Sequence, residues 1–76
     1  MTATGLEEVR AEMVAGVADV VVSKGATVVS GDTLVLLECM KMEIPVLAEV
    51  DGTVVHVAVA AGDVVQSGDL IAVIER

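Results

Sequence analysis

Side-chain amines are scarce in this chain: only Lys24 and Lys41 carry one. Lys41 stands between Met40 and Met42, with Cys39 beside them and Glu38 and Glu43 bracketing the group. A deprotonated lysine is a nucleophile toward acyl groups. The two glutamates bracket it with negative charge, and acyl transfer at this position is expected to need a partner that removes a proton. The other candidate chemistries are poorly supplied. One cysteine and one histidine cannot assemble a structural zinc site. No serine or cysteine has a base at a plausible spacing, and no glycine loop precedes a helix that would cradle phosphate. His56 lies between Val55 and Val57 on an alternating stretch and is expected to face solvent. Cys39 reads as a small filler, and Lys24, on a turn without flanking methionines, as plain surface charge. The chain is therefore expected to be non-catalytic.

The elements around Lys41 follow from an internal duplication. Shifting the chain by 37 residues aligns 9–38 with 46–75, and 12 of the 30 pairs are identical, among them Val17 with Val54, Gly25 with Gly62 and the Ser30-Gly31-Asp32 triplet with Ser67-Gly68-Asp69. Two copies are too few for a self-capping solenoid, so the halves are expected to close face to face about a pseudo-twofold axis. Alternation in Val9–Met13 marks a first strand. Further strands are expected at Val17–Val22, Val28-Val29 and Thr33–Glu38, and in the second copy at Ile44–Ala48, Thr53–Ala60, Val65-Gln66 and Leu70–Glu75. A helix over Leu6–Val14 is the competing reading of the first segment. Pro45 has no N–H and belongs on a sheet edge. Residues 1–7 carry no core pattern and read as a flexible tail, leaving 8–76 as one domain. Lys41 falls in the segment joining the copies, at the pole opposite the chain ends.

Composition agrees with a small β domain. The 76 residues are 55% hydrophobic with no aromatic side chain, and valine dominates, which suits a pleated surface. The net charge of −8 argues against nucleic acid or anionic lipid as partners. No apolar run approaches membrane-spanning length, and a single cysteine without a signal-like N-terminus points to the cytoplasm. A monomer is expected in isolation.

Met40-Lys41-Met42, followed by Glu43-Ile44 and then Asp51-Gly52-Thr53-Val54, resembles the biotinyl domain of biotin-dependent carboxylases. The resemblance runs from about Val9 to Glu75. It implies an all-β flattened barrel, two four-stranded antiparallel sheets with internal pseudo-twofold symmetry, and covalent biotin on Lys41 through an amide. It also implies a biotin ligase that modifies Lys41, with Met40, Met42, Glu38 and Glu43 as recognition residues, and service between a biotin carboxylase and a carboxyltransferase. Cys39 departs from the small alanine or serine usual in that family. Equal residue counts through Ser23–Thr27 and Ala60–Val64 leave no room for a protruding loop, so the chain is similar to the loopless, small stand-alone carriers or to an excised module. A lipoyl carrier shares the barrel but flanks its lysine differently, and a β-barrel with a binding or regulatory role is the other alternative. The two methionines either fold into the core or stand out as soft apolar contacts.

Overall fold

A computed structural model describes residues 5–76, and these form eight strands: β1 (Leu6–Arg10), β2 (Ala15–Val20), β3 (Thr27–Val28), β4 (Thr33–Cys39), β5 (Met42–Leu47), β6 (Gly52–Val57), β7 (Val64–Val65) and β8 (Leu70–Glu75). They build two four-stranded antiparallel sheets, ordered β1-β8-β6-β3 and β5-β4-β2-β7. The second order is the first with every strand replaced by its repeat mate, so the duplication is a structural pseudo-twofold. No helix is long and apolar enough to cross a membrane.

The two copies interleave rather than stack as separate layers. Along each copy the chain alternates between sheets, so every sheet takes two strands from each half. The halves thus cover each other strand by strand, where the sequence led us to expect closure of one half on the other. Only β4 and β5 are both consecutive in sequence and neighbours in one sheet. The lysine segment is therefore the one tight hairpin among the described strands.

The core repeats with the strands. Ala11 and Ala48, Val17 and Val54, Val28 and Val65, Leu34 and Ile71, Val35 and Ala72, and Leu37 and Ile74 are all buried, and each is the other's repeat mate. They divide into two clusters, one containing Val17, Leu37 and Val65 and the other Val54, Ile74 and Val28. With no aromatic side chain available, the sheets pack on branched aliphatics that hold few rotamers, which keeps the ordering cost low.

Four equivalent turns close the strand crossings. Each places glycine third, at φ +96, +98, +97 and +93 for Gly25, Gly31, Gly62 and Gly68, where other residues are strained. The Asp32, Asp63 and Asp69 carboxylates each accept the N–H three residues earlier, from Val29, Ala60 and Gln66, at 2.9–3.0 Å. The turns at Gly25 and Gly62 match in length and geometry, in keeping with the absence of an inserted loop.

The first segment differs from expectation. It is a strand, not a helix, but it runs Leu6–Arg10 instead of Val9–Met13. Leu6 and Glu7, assigned to the tail, pair with Glu75 and Ile74 of β8; residues 1–4 of that expected tail lie outside the described residues. The alternation through Ala11 and Met13 does not extend the strand, because the chain crosses here to the other sheet. Arg10 is fixed at the crossing by its guanidinium, which donates to the Gly68 carbonyl at 2.9 Å and the Glu8 carboxylate at 2.8 Å. The same crossing starts β2 at Ala15, where Gly16 already faces Glu38. Pro45 is on β5, an edge strand, as its missing N–H requires.

Candidate functional site

Cys39 and Met42 are the last paired residues of the β4–β5 hairpin, which leaves Met40 and Lys41 as a two-residue loop. Both have positive φ, 52° and 66°. That is the signature of a type I′ turn, whose twist matches the flanking strands and whose usual occupants are Asn-Gly. Side chains bearing a Cβ cost about 1–2 kcal/mol per residue in this region. The apex is thus held in a disfavoured conformation by the ladder on either side. Met40→Asn is expected to raise unfolding stability by about 0.5–1 kcal/mol, readable as an increased midpoint in chemical denaturation.

Met40 is 89% exposed and Met42 63%. Neither methionine is core; both stand out into solvent. Lys41 is exposed as well, and the one ion pair found among the described residues joins Arg10 to Glu8, not Lys41 to either flanking glutamate. Glu38 and Glu43 face each other directly across the ladder, both exposed. Cys39 is half-buried and packs against the cluster that contains Leu37, the filler role expected of it. His56 and Lys24 are exposed, as expected.

The register fixes where this apex sits. From Leu6, paired with Glu75 beside the chain ends, the chain runs through β1 and reaches Gly16, paired with Glu38 beside the hairpin. From Met42 it runs through β5 to Gly52 and Thr53, beside Glu75. Each path leads from one pole to the other of a body 43 Å long and 19 Å by 17 Å across. The Arg76 N–H donates to the Gly5 carbonyl at 2.9 Å, which closes the opposite pole. Lys41 therefore projects at the end remote from Gly5 and Arg76.

Two surface grooves, of about 340 and 780 Å³, are lined by residues other than Lys41, the larger by the β1 and β5 edges. No group of three His, Cys, Asp or Glu positioned for a metal occurs among the described residues. The turn type was the feature that sequence reasoning missed. It follows from the pairing of Leu37 and Cys39 with Ile44 and Met42, which leaves two residues for the loop and is set by the register rather than by residue type.

The family model described as "Biotin-requiring enzyme", for biotin and lipoyl attachment, matches residues 7–74. The chain belongs to this biotin/lipoyl attachment family. Among its relatives, it is 66% identical over 68 residues to "Biotinylated protein TB7.3 homolog" of Mycobacterium leprae, covering 90% of this chain and 96% of that protein. It is 44% identical over 73 residues to the "Biotin-dependent acyl-coenzyme A carboxylase alpha3 subunit" of the same organism, covering 96% of this chain but 12% of the subunit. A solved single-chain, multi-domain long-chain acyl-CoA carboxylase superposes with a TM-score of 0.89 at 34% identity, over all of this chain and 8% of the other. Membership makes this a biotinyl carrier domain homologous to segments of carboxylases, and biotin is the cofactor of its family.

Proposed function

We propose that the chain is a biotin carrier: a biotin ligase joins biotin to Lys41 Nζ, and the barrel presents the tethered group to a biotin carboxylase and then to a carboxyltransferase. The observation that carries this reading is an exposed primary amine on the apex of a strained two-residue turn, at the pole remote from Gly5 and Arg76. An open amine with no carboxylate partner among the described residues fits a group that must be attached from outside and then move freely. When bound, biotin supplies a ring that accepts carboxylate from bicarbonate and ATP chemistry and yields it to an acyl acceptor.

The chain's own residues do three things in this account. Lys41 provides the acylated nitrogen and a flexible stem. The β4–β5 ladder fixes the stem's base, so the attached ring samples a limited volume and its effective concentration at a docked active site is high. Met40 and Met42, exposed and polarizable, together with Glu38 and Glu43, give each visiting enzyme a surface to recognise. No acid, base or nucleophile for the carboxylation is drawn from this chain, so catalysis belongs to the partners.

The test is carboxylation of the biotinylated chain by a biotin carboxylase with labelled bicarbonate and ATP. Stoichiometric label on wild-type protein, and none on protein that has not met the ligase, is the expected result. A fully biotinylated chain that takes no label from any biotin carboxylase tried would favour a binding or regulatory role.

A further inference from the structure

The internal duplication supplies a built-in comparison between the two poles, because Val14, Gly16 and Val64 beside the hairpin each have a repeat mate at the other pole. In the sheet containing the hairpin, one row runs from Val64 through Gly16 to Glu38 and Glu43. Val14 and Met40 each lie two residues beyond the Gly16–Glu38 pair, toward the hairpin. Val64 is 70% exposed and Val14 62%, so neither serves the core. Their mates at the other pole are Thr27, Thr53 and Asp51, for Val64, Gly16 and Val14 respectively. Thr27, Thr53 and Asp51 are exposed too, and Asp51 accepts the Ser30 N–H at 2.7 Å.

At these three positions the scaffold is thus apolar or bare near Lys41 and polar at the other pole, whereas Leu6 and Val29 of the far pole have the polar mates Glu43 and Gln66. The far pole does expose Leu6 and Val29, but Glu75, Thr53 and Thr27 intervene along the row from Leu6, and Asp51 lies toward Val29. Near the lysine, glycine replaces the intervening side chain, so Val64, Gly16, Val14 and Met40 make a strip with a shallow floor. Exposed Val64 gains nothing for the fold where threonine serves in its mate, Val14 stands exposed where its mate Asp51 accepts a hydrogen bond, and an apolar strip flanked by acids marks a surface that is covered in a complex.

Resting on the carrier reading, we infer that this strip is the docking face for the biotin ligase, which meets it with an apolar centre and a basic rim. The reacting atom in ligation is Lys41 Nζ itself, so the ligase must come into contact with the hairpin base. A carboxylase reacts at the far end of the attached arm, so it can recognise the hairpin tip without covering the strip at its base. Glu38 and Glu43 beside the strip, and a net charge of −8, favour a basic rim on the partner.

Val14→Thr and Val64→Thr keep side-chain shape and charge and test the strip directly. Both sites are exposed, and each variant should melt as the wild type does, which makes either sufficient if the other fails to fold. With a purified biotin ligase, the double variant is expected to lose about tenfold in kcat/KM through a raised KM with kcat nearly unchanged. Thr27→Val at the far pole should leave both constants unchanged. Wild-type rates in the double variant, with Lys41 still biotinylated, would overturn the docking face while leaving the carrier function standing. A wild-type chain that no ligase modifies would overturn both.

Discussion

Lys41→Arg is expected to abolish biotin attachment by a biotin ligase while the barrel keeps its cooperative unfolding transition, within about 0.5 kcal/mol of the wild type. Arginine keeps the positive charge and the Cβ that the positive φ of this position strains, so turn energetics and local electrostatics are preserved. Its guanidinium stays protonated and is not an acyl acceptor. Loss of labelling would then report on the nucleophile alone. Lys24→Arg is the matched control on the Gly25 turn and should label as the wild type does. Streptavidin blotting after ligase treatment, paired with thermal melts, reads both outcomes. Residual biotin on Lys41→Arg would place the attachment elsewhere, and a lost transition would mean that the lysine supports the fold.

The second large effect is structural. A Cβ built on Gly52 would overlap the Glu75 carbonyl oxygen and stand 2.8 Å from Ile74 Cγ2, a clash that forces the backbone of β8 to move. Gly52→Ala is therefore expected to destabilise the domain by about 3 kcal/mol. For a chain of this size that lowers the melting temperature by roughly 12–24 °C. Gly16→Ala is the control, because its added methyl would meet only the Glu38 and Asp63 carbonyl oxygens at 3.9 and 4.0 Å, ordinary contact. It should change stability by less than about 1 kcal/mol. The repeat mate of Gly52 is Ala15, a residue that already carries a methyl and is buried. The two poles are thus not equally tight, and β6 enters its sheet closer to β8 than β2 does to β4. Equal melting temperatures for the two variants would contradict this asymmetry.

The 37-residue self-match and the glycine turns made the eight strands and the twofold legible, because each copy confirms the other's spacing. Leu70–Glu75 was read with its observed bounds. The errors cluster where the chain changes sheets. Alternation in Val9, Ala11 and Met13 reads as one strand, yet Ala11 is buried by packing and backbone bonds to Asp69 and Gly68 after the ladder has ended. Periodicity records which side chains face inward, and a crossing segment can keep that pattern without keeping its partner strand. The interleaving of the copies was hidden for the same reason, since a pattern of inward faces does not say which sheet a strand joins. At the site, Lys41 and its neighbours were legible from residue type and position. The strain of the turn was not, because it depends on the Cys39–Met42 pairing that sets loop length.

The exposure of Met40 and Met42 shows how little core these two residues provide, despite the chain's small size. A domain of 76 residues buries only about 60% of its unfolded surface. Leaving two large apolar side chains in solvent at the lysine pole forgoes burial that a marginal fold would otherwise use. The expected stabilisation by Met40→Asn makes the same point from the backbone side: the apex is suboptimal for folding.

The most direct test of the central claim, that the exposed amine at the hairpin apex holds the cofactor, is peptide-mapped mass spectrometry of the chain after production with a biotin ligase and biotin. One amide-linked biotin on Lys41, with Lys24 unmodified, is the result this account predicts. Biotin on Lys24, a lipoyl increment in its place, or an unmodified Lys41 under conditions where a known carrier is fully labelled, would contradict it.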